Sequence, residues 1–415
     1  MTVYVGIDWG KKHTAFVFGG DEESKCSWTV RTRARELRRM VVRITRAAGD
    51  AEVLAVIEPG AQATTRMLHE AGFVVHVVDG KQLKHFRESL TSGGSSNDEL
   101  CAYWAWRMAQ SSAHLKTPYQ PLSDEDQAFA TTLRVLEWLS KDATRAINQL
   151  RAVLEEQVPD IEGSLSSLKS AYARDLIRLA PTSWHAAELT EGQWEEFLST
   201  RRVPKKKRAT LWAAIQAAAS RHTLADLDAA EPLADVIAQL VGRLDDLLRR
   251  ERKLEARLAA LAVEDEAATV ASSIPGIGAR TSARLSVDVF SAEHLQRAEH
   301  SPDPRDYATR RTLCAPIQNQ TGTTRNAVRR RHGGSRAASV ATLRAAAQAK
   351  MRIPWAKAMY EYGRSRGDGH YSVLRKIGRS LMRILTSMVR NGTEYDDALY
   401  VQRLQGKGVV WAMGL

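Results

Sequence analysis

Cysteine is scarce in this chain. Its three cysteines among 415 residues, Cys26, Cys101 and Cys314, are widely spaced, odd in number and without any Cys-x-x-Cys or Cys/His spacing suited to zinc. A disulfide framework and a zinc ribbon are both excluded. Long apolar runs are missing as well, since no stretch approaches the roughly 18 uninterrupted apolar residues of a membrane-spanning helix. The first residues form a strand-like run instead of a basic segment followed by an apolar one, so no export leader is expected. A soluble, cytoplasmic protein with no membrane partner is the expectation. Acidic residues are outnumbered, 48 Asp and Glu against 60 Lys and Arg, which leaves a net charge of +12. Such a balance points to a polyanionic partner, because Lys and Arg release counterions from a phosphate backbone without reading its sequence. Nucleic acid leads.

With 44% hydrophobic residues, a chain of 415 can bury more than one core, and two or three domains are expected. Through about Ser112 strand-like and helix-like patterns alternate, which favours an α/β sheet covered by helices. The remainder is almost entirely helical in pattern.

Three acids stand out in the first segment. Val3-Tyr4-Val5-Gly6-Ile7 suits a buried strand, and Asp8 stands at its C-terminal end, where ligands gather in α/β sheets. Ala51 to Ile57 is a second such run; it ends on Glu58 and breaks at Pro59-Gly60. Gly72 to Asp79 is a third candidate strand, preceded by a helix-like stretch from Gln62 to Ala71. Asp98 follows a Gly/Ser loop and opens a helix rich in Ala, Leu and Trp. Carboxylates from separated segments are what Mg²⁺ (or Mn²⁺) requires, since Mg²⁺ keeps waters and takes one or two carboxylates plus phosphate oxygens. Each acid taken alone is equally well a solvated cap. A Gly-Ile-Asp-x-Gly start also occurs in sugar kinases and actin-like ATPases, but no later glycine-rich adenosine motif follows.

Further along, apolar residues recur at helical spacing from Asp124 to Val158 and from Glu231 to Ala262, two amphipathic helices that could pair as a coiled-coil arm. Between them lies a basic run, Arg201-Arg202-Val203-Pro204-Lys205-Lys206-Lys207-Arg208, either solvated or a backbone-phosphate contact. Ile274-Pro275-Gly276-Ile277-Gly278 has the small residues of a helix-hairpin-helix element, in which Gly276 and Gly278 would let backbone N–H groups meet a phosphate; a ligand-free helix connection also uses glycines. Thr321-Gly322-Thr323-Thr324 places hydroxyls beside Arg325, Arg329, Arg330, Arg331 and Arg336. Guanidinium groups bind phosphate bidentately and could stabilise charge during attack by a hydroxyl, or only hold a DNA backbone.

Together these residues resemble the DEDD-type insertion-sequence transposases, a family that includes pilin-gene invertases and bridge-RNA-guided recombinases. The signs are Gly6-Ile7-Asp8, Ile57-Glu58-Pro59-Gly60, Ser96-Asn97-Asp98-Glu99-Leu100-Cys101-Ala102, then Ile274 to Gly278, Ala315-Pro316 through Thr321-Gly322, the arginine cluster, Leu343-Arg344-Ala345-Ala346 and Tyr395-Asp396. The resemblance implies an RNase H-like (RuvC-like) N-terminal domain, a coiled-coil linker and a helical C-terminal transposase domain. It also implies divalent metal on four acids, a serine nucleophile forming a covalent protein–DNA intermediate, DNA and a structured guide RNA as partners, and a homo-oligomer, dimer or tetramer. Carried onto this chain, Asp8, Glu58 and Asp98 fall on the first three acids. Cys101 occupies the fourth acid position, one helical turn beyond Asp98, and a neutral thiol is a poor ligand for hard Mg²⁺. Glu99 does not simply replace it, because neighbouring helical residues point about 100° apart. The family's Ser-Gly nucleophile corresponds to Thr321-Gly322, which keeps the hydroxyl but adds a crowding methyl.

The expected fold is therefore α/β plus all-α, with an RNase H-fold domain over 1–118, a helical coiled-coil region over 119–265, a helical C-terminal domain with a helix-hairpin-helix-like element over 266–400, and a tail over 401–415. The leading function is a metal-dependent DNA transposase or recombinase, with Asp8, Glu58 and Asp98 on the metal and Thr321 attacking DNA. Two alternatives stand beside it. One is a decayed or repurposed copy that binds nucleic acid without recombining it; the other is a RuvC-like nuclease in which Thr321 plays no part.

Overall fold

A computed structural model describes residues 2–91, 97–111, 118–221, 227–321, 325–329, 331 and 333–415, without the side chains of 227–228, 318–321 and 325–329. The chain is mostly helical with one small mixed sheet at its N-terminal end. That sheet holds β1 (Thr2–Trp9), β2 (His13–Gly19), β3 (Cys26–Arg31), β4 (Glu52–Ile57) and β5 (Val74–Val77) in the order β3-β2-β1-β4-β5. The first three strands form an antiparallel meander, whereas β4 and β5 run parallel to β1. The strand-like runs read around Asp8, Glu58 and Asp79 are β1, β4 and β5. The other two strands were not expected. In β2 almost every residue is buried, so no polar alternation marks it as a strand.

Alternation along β1 divides the layers. Val5 and Ile7 join Phe16 and Phe18 on one face, under Leu37, Met40, Val41 and Ile44 of α1 (Ala34–Ala48) and Leu68 of α2 (Gln62–Glu70). The other face receives α3 (Gly80–Leu90) and α4 (Asp98–Gln110), whose Leu83, Phe86, Ala105 and Met108 pack on Val56 and Val78. Gly6 lies under α4. A Cβ there would come 2.0 Å from the Ala102 carbonyl oxygen and 2.2 Å from the Trp106 nitrogen, so only glycine lets the helix backbone sit this close to the strand.

The outward face of α1 is unusual in charge. Arg35, Arg38, Arg39, Arg43 and Arg46 are all exposed, and like charges three or four residues apart destabilise a helix by roughly 0.2–0.5 kcal/mol per pair.

From Asp124 to Glu264 the described residues are mainly helical, and the two long helices have a definite pairing. Helix α5 (Asp124–Gln157) is followed by α6 (Pro159–Ser164), α7 (Ala171–Leu179), α8 (Ser183–Glu188), α9 (Glu191–Thr200), α10 (Lys205–Ala219) and α11 (Leu227–Glu264). The two long helices pair antiparallel within the chain: Ser140 Oγ donates to Glu251, and nine residues further along α5 the Gln149 amide oxygen accepts from Arg243 at 3.3 Å. Near the sheet end Phe129, Leu133 and Leu136 pack on Leu258 and Ala262. Toward the other end Leu150, Leu154, Val241 and Leu244 share a core with the short helices. Buried Arg174 is satisfied there by Asp245 at 2.5 Å and by the carbonyls of Leu168 at 3.1 Å and Lys169 at 2.6 Å.

The last core is built from α12 (Glu266–Ser272), α13 (Ala279–Leu285), a π-helical turn Ser286–Phe290, α14 (Ala292–Glu299), α15 (Pro304–Arg311), α16 (Arg336–Arg352), α17 (Pro354–Ser365), α18 (His370–Asn391) and α19 (Asp397–Gln405). Two features differ from the expected helical domain and tail. A β-hairpin of β6 (Ile317–Thr321) and β7 (Arg325–Arg329) interrupts the helices, its strands polar and arginine-rich enough to read as a loop. Residues 401–415 are no tail, because α19 runs through that boundary, Val401 and Trp411 pack on the core, and Ala412 is fully buried. No helix among the described residues is long and apolar enough to cross a membrane.

Candidate active site

Asp8 stands at the C-terminal end of β1 with the same strand parity as Gly6, which turns it toward α4. Asp98 is the first residue of that helix. Asn97 caps it, its side-chain oxygen accepting from the Leu100 N–H at 2.7 Å, and the Asn97 carbonyl accepts from the Cys101 N–H at 2.9 Å. The close approach over Gly6 is what delivers the start of α4 to Asp8. Burial pushes the Asp8 carboxyl up to about 6, the charges of Asp98 and then Glu58 push the same way, and a hydrogen bond from the Cys101 thiol opposes them. Asp8 ends β1, Glu58 follows the adjacent strand β4, and Asp98 lies near enough for its charge to act on Asp8. Cys101, at the departed fourth position, faces the same cluster.

Glu58 follows β4 and is also held above the usual carboxylate range, first by burial and then by the charge of Asp79. Asp79 was read only as the end of a strand, yet it joins the acidic row. It caps α3, its side chain accepting from the Lys81 N–H at 2.8 Å. Its signal lay in the pattern already used for Asp8 and Glu58, an acid ending a short apolar run. Gly80 leaves room for the row, since a Cβ there would lie 3.2 Å from Glu58 Oε1. Beside Glu58 a cavity of about 200 Å³ is lined by Lys84, Arg87, Cys101 and Trp104. Acids that repel one another next to cationic side chains form a place where a cation and a phosphate could both settle.

Among the described residues no group of three His, Cys, Asp or Glu side chains could hold a metal ion by itself.

A family model described as a transposase, of the DEDD type named for insertion element IS110, matches residues 5–159, a span that contains Asp8, Glu58, Asp98 and Cys101. The 43.6 kDa protein of insertion element IS110 from Streptomyces coelicolor is 26% identical over 351 residues, covering 80% of this chain and 79% of that protein. The y4uE protein of Sinorhizobium fredii, which carries a transposase name, is 26% identical over 208 residues, 48% of this chain and 57% of its own length. Over residues 5–159 the chain is similar to the DEDD transposases of the IS110 type.

The other described sequence-read positions are on elements different from those that carry the acids. Thr321 ends β6 and pairs with Arg325 across the hairpin; Gly322, Thr323, Thr324 and Arg330 fall outside the described residues, as do the side chains of Thr321, Arg325 and Arg329. Arg331 is half-buried. Gly276 adopts φ +93°, and a Cβ there would meet Gln348 Cβ at 2.8 Å, so the turn between α12 and α13 needs glycine for its packing on α16 whether or not it meets a phosphate. Gly278 is the residue before α13, a helix of only seven residues. Lys205 and Lys206 are exposed at the start of α10; Lys207 reaches the Ser164 carbonyl at 3.5 Å and Arg208 the Val203 carbonyl at 3.4 Å. Arg344 is exposed on α16, whereas Tyr395 is structural: it accepts from Trp355 Nε1 at 2.6 Å and donates to Asp397 at 2.7 Å.

Proposed function

We propose that this transposase exchanges phosphodiester bonds in DNA at the edge formed by Asp8, Glu58 and Asp98, with Mg²⁺ or Mn²⁺ as cofactor. The observation that carries the reading is the Asp8 carboxyl, raised to about 6 by burial beside two other acids. The strand order, an antiparallel meander followed by two parallel strands, supports an RNase H-like reading of the sheet. When bound, a divalent ion supplies charge neutralisation for the phosphoryl oxygens. The chain's own acids orient that charge, and Lys84 and Arg87 beside Glu58 favour a phosphate over bulk anions.

Thr321 is the nucleophile in this reading. Its hydroxyl oxygen forms a new bond to phosphorus as the bond from phosphorus to the departing deoxyribose oxygen breaks, and the departing oxygen takes up the proton that threonine gives away. Arg325, Arg329, Arg330 and Arg331 hold the strand. A structured guide RNA supplies target choice by base pairing, so protein contacts go mainly to backbones, and the active unit is a homo-oligomer.

A covalent protein–DNA adduct in Mg²⁺ with the full-length protein tests this. Thr321→Ala should abolish the adduct and strand exchange. Strand cleavage that survives Thr321→Ala would instead establish the nuclease alternative. A second reading, nucleic-acid binding without recombination, draws on Cys101, which sits against Asp8 where the family pattern has an acid. Cys101→Asp with Thr321→Ser should raise activity in a weakened enzyme; retained DNA binding with no cleavage in either metal, before and after this repair, would favour the binder.

A further inference from the structure

Helix α1 carries no exposed acid. Its solvent-facing side consists of Arg35, Arg38, Arg39, Arg43 and Arg46 around the exposed Val42, and its one acid, Glu36, is half-buried beside Arg39 at 3.3 Å. Among the described residues Arg35, Arg38, Arg43 and Arg46 have no acidic partner, although Arg43 stacks over the Trp28 ring at 3.8 Å. A solvated helix face ordinarily interleaves its charges, as α11 does where Asp246 pairs with Arg249 at 2.7 Å and Arg250 at 2.8 Å. Nothing in the fold needs five like charges on α1; they repel one another along the helix, and the residues that dock it are Leu37, Met40, Val41 and Ile44.

The face also begins at the edge where the acids stand. Thr32, just before α1, donates its hydroxyl to the Gly10 carbonyl at 2.7 Å and its N–H to the Lys12 carbonyl at 2.9 Å, tying the helix start to the turn that follows Asp8. Lys11, Lys12, Arg31 and Arg33 are exposed around that junction. Positive charge is therefore continuous from the acidic edge down the back of the sheet.

We infer that the arginine face of α1 is a docking track for the backbone of a DNA duplex flanking the bond to be cut. The inference rests on the reading of the carboxylate edge as the place of DNA chemistry. From Arg35 to Arg46 the helix advances about 16 Å at 1.5 Å per residue, a length that takes in about five phosphates of one strand at 3.4 Å of rise along the duplex axis. Guanidinium groups bind phosphate oxygens bidentately and hold their charge at any working pH. A straight, stiff array of charge suits a duplex, and continuity with the cutting edge favours the DNA substrate over a separately held RNA.

The test compares full-length wild type with a variant carrying Arg35→Gln, Arg38→Gln, Arg39→Gln and Arg46→Gln, binding a short DNA duplex of random sequence across a salt series. The variant's slope of log affinity against log salt should be shallower by about 3.6, four phosphates at about 0.9 each, so that between about 50 and 200 mM salt it loses about 150-fold less affinity than wild type. Its melting temperature should be equal or higher, and the matching four-fold Arg→Lys variant should recover most of the slope. Equal slopes in wild type and variant would overturn the track while leaving the transposase reading intact. A slope change seen with a structured RNA hairpin but not with duplex DNA would overturn the choice of DNA. Failure of wild type to bind duplex DNA at all would overturn both readings.

Discussion

The two faces of the small N-terminal sheet place their charges for different reasons. On the α4 face, backbone meets backbone across Gly6, the acids that end β1 and follow β4 are partly dehydrated, and the exposed Asp98 at the start of α4 acts on Asp8 by its charge. On the α1 face, apolar side chains fill the gap to the sheet and the arginines stay in water. Proximity on the first face is forced by packing; on the second, charge is laid out along a helix that packing leaves free. On the proposed reading, a cation would settle at the first arrangement and a long anion along the second.

The largest effect should come from breaking the close approach. Gly6→Ala would place a methyl 2.0 Å from the Ala102 carbonyl oxygen and is expected to destabilise by about 3 kcal/mol or more in urea unfolding. Val42→Ala on the exposed α1 face should stay within about 0.5 kcal/mol. A milder loss than that at Gly6 would mean that α4 can slide away and that the acidic cluster is not forced by packing.

Next in size is the response to metal. Mg²⁺ at about 100 times its Kd should stabilise a binding-competent site by about 2.7 kcal/mol. Cys101→Asp should bind at lower Mg²⁺ than wild type, and without metal it should be less stable, having lost the thiol bond and gained a charge beside Asp8. Thermal melts with and without Mg²⁺ that shift in neither protein would remove the metal from the proposal.

The pH dependence sharpens the electrostatic half. Asp8 is raised from 3.8 to about 6, so the folded state holds its proton more tightly than the unfolded state. Its stabilising contribution is full below pH 3.8 and is lost as pH rises through about 6. Asp8→Asn escapes that loss and should be more stable than wild type at pH 8 by about 1 kcal/mol, discounted for the solvent that reaches this half-buried group. The advantage should shrink toward pH 4; a gap that stays constant with pH would refute the raised Asp8 carboxyl.

Smallest is Arg39→Glu, which replaces a link in the like-charged series on α1. It should stabilise the protein by about 0.5 kcal/mol and weaken duplex DNA binding, two changes of opposite benefit that a purely structural arginine would not produce.

Much of the acidic site was legible. An apolar β-branched run ending on an acid marks a strand tip, and Asp8 and Glu58 were read that way, with Asp98 read as the opening of a helix after a Gly/Ser loop. The same rule applied to Asp79, but nothing in a linear pattern indicated that its neighbour in space would be Glu58. The fully buried β2 hid because both its faces are covered. The arginine face of α1 hid for a different cause. Between Arg31 and Arg46 basic residues are simply frequent, and they become a face only once Leu37, Met40, Val41 and Ile44 are docked.

Local chemistry in the chain was enough to determine its long helices, its strand tips, its basic excess and the identity of the acids, because periodicity and turn residues act over a few positions. It could not determine which elements become neighbours. That α5 pairs with α11 inside one chain, that residues 401–415 belong to the C-terminal core, and that Cys101 lies against Asp8 were decided only by tertiary packing. These contacts join residues far apart in sequence, and what selects among such arrangements is the burial of whole faces at once, a quantity no single segment carries.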